Sequence, residues 1–260
     1  MLRLLPIPKD PHEAAIVDFV KQTISRSGLH RMLLRTFLAA GCAVILHGLA
    51  SRFVILRPEE VTDVGLLVFA APLVISFFLL VGLRLLLEIP TERQASWIFR
   101  LAITDIASGS ILRGVRRVMF ELGILAWLVF IVPVNIVLLG IALGVAHSLF
   151  CLLASLIALD ALLIGYRKAP FTTDFNSERT NLGISLLLWS TLFAVYAYGT
   201  TYIEVGLLQR PFVFALTLAL MFAAWRLLLY ARDRWTPEHQ EMDFSDGVAP
   251  VVLTLDLRSD

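Results

Sequence analysis

The stretch from Leu122 to Leu159, LGILAWLVFIVPVNIVLLGIALGVAHSLFCLLASLIAL, contains no Asp, Glu, Lys or Arg. As one straight helix it would be about 57 Å long, nearly twice the thickness of a bilayer's hydrocarbon core. The run therefore has to fold back on itself. Gly140 and Gly144 mark the expected turn, giving spans at about 122–139 and 143–164. Pro133 falls inside the first of these, where a proline is tolerated if neighbouring groups satisfy the freed carbonyl.

Working outward, four more apolar runs have spanning length. They lie at about 33–53, 64–87, 182–203 and 211–230. The run at 33–53 is the least apolar, with Arg35 and Arg52 placed to snorkel from its two ends. Glu204 to Arg210 reads as a short connection, and Pro211 opens the last span. Residues 88–121 are too polar to cross. They contain two short apolar patches, one of Trp97, Ile98 and Leu101, and one of Ile111, Leu112, Val115, Val118, Met119 and Leu122 at helical spacing. Arg113, Arg116 and Arg117 occupy the opposite side of the second patch.

Composition agrees with this division. Apolar residues make up 58% of the 260 and charged residues 17%, with a mean hydropathy of +0.81. A water-soluble chain runs nearer a quarter charged, and one of this length has no core large enough to hide the excess. The expected fold is an all-α polytopic membrane protein of six transmembrane helices with interfacial amphipathic helices. Its units are a cytoplasmic N-terminal segment (1–31), a transmembrane domain (32–230) and a cytoplasmic tail (231–260), in which Val251 to Leu255 alternates like a strand.

The basic residues orient the bundle. Of 22 Lys and Arg, all but Arg52, Arg57 and Arg210 fall on one side of the six-span arrangement. The positive-inside bias makes that side cytoplasmic, with both termini on it, in a cell inner (plasma) membrane. The N-terminus carries no secretory signal, because Pro6 and Pro8 break its first apolar stretch. Asp10-Pro11-His12-Glu13 is a helix start: Asp10 caps, Pro11 suits the first position and Glu13 can reach back. Ile16, Phe19, Val20 and Ile24 then share one face, as in a helix lying on the membrane surface.

Polar groups within spans are the candidates for chemistry. Asp160 lies about one turn from the inner end of the fourth span, and Arg84 is at the same level of the second. They form a candidate intramembrane pair, with Glu88 as an alternative i,i+4 partner for Arg84. A substrate or proton role for Asp160 stands beside a structural one. His47, His147 and Asn135 read as interhelical hydrogen-bonding groups, since no carboxylate is expected at the depth of the histidines. Cys42 and Cys151 read as small packing residues, because no Cys-x-x-Cys motif and no cluster of several Cys and His accompanies them. The basic face of Arg113, Arg116 and Arg117 is a candidate contact for anionic lipid or for a cytoplasmic partner, besides obeying the positive-inside bias.

None of the three lysines follows a glycine, so the chain has no phosphate-binding Gly-Lys-Ser/Thr loop. No hydrolase or metalloprotease motif is present, and neither a catalytic residue, a cofactor site nor a metal site is expected. The net charge of +1 gives no reason to expect a nucleic-acid partner.

The stretches Glu88-Ile-Pro-Thr-Glu-Arg-Gln-Ala-Ser-Trp-Ile-Phe-Arg100 and Tyr166-Arg-Lys-Ala-Pro-Phe-Thr172 resemble the C-terminal half of a family of uncharacterised bacterial polytopic membrane proteins. The resemblance implies a truncated or split form lacking an N-terminal half, and transfers no functional residue. The layout is also similar to that of ABC-2-type permeases: six spans, both ends inside, an amphipathic N-terminal helix and cytoplasmic helices that meet an ATPase. The expected function is a permease-like transport component, non-enzymatic itself, working in the lipid bilayer with a separate ATPase subunit or as a homodimer. The alternative is a non-transporting scaffold or assembly factor, expected to lack an inward cavity.

Overall fold

Backbone groups in hydrocarbon have no water to bond, so each apolar run has to satisfy its own amides, and helices result. The computed structural model describes residues 10–55, 62–89, 108–164, 166, 170–171 and 182–235. These contain α1 (Pro11–Arg26), α2 (Gly28–Ile55), α3 (Thr62–Leu86), α4 (Ser108–Phe120), α5 (Ala126–Leu139), α6 (Ile141–Leu162), α7 (Leu182–Phe193), α8 (Thr200–Leu208) and α9 (Pro211–Trp235). Wide π turns, Glu121–Leu125 and Ala194–Gly199, join α4 to α5 and α7 to α8 without a break.

Among the described residues, five stretches are long and apolar enough to cross a membrane: Gly28–Ala50, Leu66–Leu86, Gly109–Leu139, Ile141–Leu162 and Pro211–Arg232. The remaining expected span is the uninterrupted helical run Leu182–Leu208. The chain is an all-α polytopic membrane protein. Its exterior suits lipid, since Val137 and Phe212 are each 82% exposed. The basic loop residues 90–107, with Trp97, Ile98 and Leu101, lie outside the described residues, as do the first nine residues, the 236–260 tail and most of both family-like stretches.

Helices α3 and α6 form the centre, contributing Leu73, Leu80, Leu83 and Leu159 to the core, while α2 and α9 lie at the periphery. Glycines set the closest approaches. A Cβ on Gly82 of α3 would stand 2.7 Å from the Phe37 ring of α2. Near mid-depth, the hydroxyl of Tyr196, in the second π turn, meets Ser76 of α3 at 2.8 Å and Ser155 of α6 at 3.2 Å. This hydroxyl group ties three elements where hydrocarbon offers no other partner.

Several boundaries differ from those expected. The amphipathic piece with the three arginines is continuous with the third span, because the π turn passes the helix through the interface instead of ending it. The turn in the long apolar run is Gly140 alone, at φ 83° and ψ 167°, a conformation that only glycine adopts readily. Gly144 lies inside α6, where its missing side chain lets that helix rest against the backbone of α5. Glu204 is helical and buried, so the connection before α9 shrinks to Gln209 and Arg210. Helix α1 lies against protein, burying Ile16, Val17, Val20 and Ile24. A Cβ on Gly114 of α4 would come within 2.7 Å of Ile16.

The α5–α6 contact gives a direct check. A Cβ at Gly144 would sit 2.7 Å from the Asn135 carbonyl oxygen and the Ile136 Cα, both rigid backbone. Gly144→Ala should lower stability by about 1–3 kcal/mol, seen as a reduced thermal midpoint in detergent. Gly206→Ala, with nothing within 4 Å of the added carbon, should leave the midpoint unchanged.

Candidate functional site

Asp160 sits in the last turns of α6, and its side chain is wholly buried. A carboxylate at such a position is tolerable only when donors replace its water. Arg116 of α4 supplies two, Nε at 2.6 Å and Nη2 at 2.9 Å. Helix α9 supplies two more, Arg232 Nη1 at 2.7 Å and Trp225 Nε1 at 2.9 Å. Trp225 and Arg232 are seven residues apart, two helical turns, and so present one face to Asp160. The carboxylate thus joins α4, α6 and α9 at the end of the bundle where the basic residues gather.

Beside this junction lies an open cleft of about 670 Å³. Its polar side is formed by Arg113, Arg116, Arg117, Arg226 and Arg232, with Glu13 as the one acidic lining residue. Its apolar side is formed by Phe120, Leu152, Leu156, Trp225, Leu229 and Tyr230. Five guanidiniums and Lys21 stand against Asp10, Glu13, Glu121 and Asp160, which leaves a modest positive surplus with Arg226 at the cleft. Arg226 is exposed at the cleft and has no acidic partner among the described residues. The volume falls in the usual range for small-molecule sites, and the division into cationic and apolar walls matches an amphiphile with an anionic head.

The expected Arg84–Asp160 pair is not formed. Arg84 turns to Glu88 at 2.6 Å, donates to the Leu162 carbonyl at 3.2 Å and lies 4.5 Å from the Tyr166 ring centre. Its own helix offers a carboxylate one turn away, while the arginines of α4 and α9 reach Asp160 first. The basic trio is also less free than a docking face requires. Arg113 bonds Asp10 at 3.1 Å and approaches Glu13 at 3.7 Å; Arg117 bonds Glu121 at 3.0 Å and approaches Glu13 at 3.8 Å. Lys21 of α1 also pairs with Glu121. Glu13 therefore faces α4, while Asp10 caps α1 by accepting from the His12 amide at 2.9 Å. The Ser110 hydroxyl and that amide hold the Asp10 carboxyl below its ordinary pKa. Arg113 retains the largest exposure of the trio, about half of its side chain.

A second polar group lies toward the opposite end. His147 Nδ1 is 2.8 Å from Glu204 Oε1, and both side chains are wholly buried. Cys151 Sγ is 3.6 Å from the same nitrogen and 3.7 Å from Nε2. This corrects the expectation for His147 that no carboxylate lies at its depth, while His47 is exposed on α2. Glu204 reads as a loop residue in the sequence because it is charged and close to Pro211; only the continuation of the helix brings it inward. Asn135 fulfils its expected role, donating to Ser148 Oγ at 3.1 Å.

Replacing Asp160 by Asn keeps the shape and removes the charge that Arg116 and Arg232 share. Leaving two partly buried cations uncompensated should cost about 1–3 kcal/mol, less than for fully buried charges, measured as a fall in the unfolding midpoint in detergent. Arg232→Gln, which leaves the Arg116 pair in place, should cost less.

No protein-family model, curated protein or solved structure matches this chain, and its functional reading rests on this geometry.

Proposed function

We propose that the chain is a permease-like transport component that takes an amphipathic anion, of the lipid-phosphate kind, through the arginine-lined cleft. The cleft beside Asp160 carries the reading, because a scaffold whose helices only pack has no use for an open cavity of about 670 Å³ with cationic and apolar walls. In this reading the basic end is cytoplasmic, both termini lie there, and the membrane is the inner (plasma) membrane of a bacterium. The strong bias of Lys and Arg to that end supports the orientation. Energy comes from a separate ATPase, since the chain has no Gly-Lys-Ser/Thr loop of its own. The continuous helix Gly109–Leu139 would link a cytoplasmic contact to the membrane interior. The layout shared with ABC-2-type permeases agrees with this assignment.

The scaffold reading draws on a different observation, the ties of Arg113, Arg116 and Arg117 to Asp10, Glu13, Glu121 and Asp160. Residues so engaged serve the fold as well as a ligand. Binding separates the two. The purified protein should bind a fluorescent anionic phospholipid in preference to a zwitterionic one. The combined change Arg113→Gln and Arg226→Gln, which spares the Asp160 junction, should weaken that binding about 30-fold, from about 1 kcal/mol per arginine. Equal binding of both lipids, unchanged by the substitutions, would transfer the assignment to the scaffold. In mild detergent an ATP-hydrolysing subunit should co-purify with the chain, and Arg113→Glu should reduce its recovery. Tags at both termini should be reached only from the cytoplasmic face.

A further inference from the structure

The group of His147, Cys151 and Glu204 plays no part in the cleft, and hydrogen bonding does not satisfy it. Glu204 has one oxygen on His147, but its Oε2 is buried with no partner among the described residues. Protonation does not cure this. A proton on Oε2 would be a donor without an acceptor, and a proton shared between Oε1 and His147 leaves Oε2 an acceptor without a donor. Either state is costly in surroundings that cannot hydrogen-bond.

We propose that these three side chains bind one divalent transition-metal ion of the zinc class between α6 and α8. The ligand types are those such an ion takes, one imidazole nitrogen, one thiolate and one carboxylate. His147 and Cys151 are four residues apart on α6 and face the same way, and Glu204 approaches from α8. One ligand atom from each of the three side chains lies within 4.8 Å of the other two. Ligands around a four-coordinate zinc ion stand about 3.5 Å apart. Through Nδ1 the Cys151 to His147 separation is 3.6 Å, close to that value, and because Sγ is also 3.7 Å from Nε2 the imidazole has to turn to aim one nitrogen at the ion. The 2.8 Å between His147 and Glu204 has to open slightly as the ion displaces the proton held there, and the Cys151 thiol releases a second proton to the solvent. A dication with one thiolate and one carboxylate is electrically neutral, the state that a hydrocarbon layer favours. The ion also gives the stranded Oε2 a partner. With both Glu204 oxygens on the ion, the imidazole nitrogen and the thiolate complete a set of four donors. Phe69, whose ring meets His147 edge-on at 4.7 Å, closes another side of the imidazole.

The test uses the whole chain in detergent, stripped with a chelator and titrated with Co²⁺ as a spectroscopic stand-in for Zn²⁺. One Co²⁺ per chain should bind, with a near-ultraviolet thiolate-to-cobalt charge-transfer band and the visible bands of a four-coordinate ion. Added Zn²⁺ should erase both. Cys151→Ser should abolish the charge-transfer band, and Glu204→Gln, nearly isosteric, should weaken Co²⁺ binding at least tenfold. Cys42→Ser should change neither, because Cys42 is exposed on α2. Size-exclusion profiles and thermal midpoints of the metal-free proteins show whether each variant is folded. Absence of the band from the unmodified chain, or its survival in Cys151→Ser, overturns the site. The transport assignment does not depend on either result.

Discussion

Hydrocarbon offers no hydrogen bonds, and a polar group that the chain carries into it is costly unless another part of the same chain meets it. This demand explains which side chains face inward. Ser76, Ser155 and Tyr196 meet at mid-depth; Asn135 meets Ser148; His147 meets Glu204; and Asp160 gathers two arginines and a tryptophan. Each group draws its members from different helices, so satisfying the polar atoms also chooses which helices are neighbours. Apolar packing cannot make that choice alone, because lipid tails are as apolar as leucine.

The two polar centres contrast in how they are balanced. Around Asp160 the charges nearly compensate one another within the fold, and the surplus of positive charge looks into an open cleft. Around Glu204 everything is enclosed, and one oxygen remains without a bond. The first arrangement favours exchange with something arriving from outside. The second favours a small ion held in place. A single bundle can carry both because they lie near opposite ends of α6, separated by the apolar turns between His147 and Asp160.

Much of the architecture was readable because bilayer thickness acts as a ruler. Runs free of Asp, Glu, Lys and Arg had to be helices of spanning length, and the basic residues ordered their ends. The side-chain partners were less readable, since depth is written in the sequence but azimuth is not. Arg84 and Asp160 do lie toward the same end, yet α4 and α9 reach the carboxylate instead. The π turns added to the difficulty. Each changes the direction in which later residues point, and the turn at Ala194–Gly199 comes just before Glu204. The seven-residue spacing of Trp225 and Arg232 is a local pattern that could have pointed to part of the Asp160 site. The tail boundary at residue 231 hid it, because α9 continues to Trp235.

The single-residue connection at Gly140 bears on how the protein is made. With no polar segment between them, α5 and α6 cannot be threaded into the bilayer one after the other and anchored separately; they have to enter together, as a preformed pair of antiparallel rods. Their tip carries exposed Val137, Leu138 and Ile141 and no charge to hold it in water. Such a tip stays submerged among the lipid tails or head groups, hidden from proteases and water-soluble labels that reach the opposite leaflet.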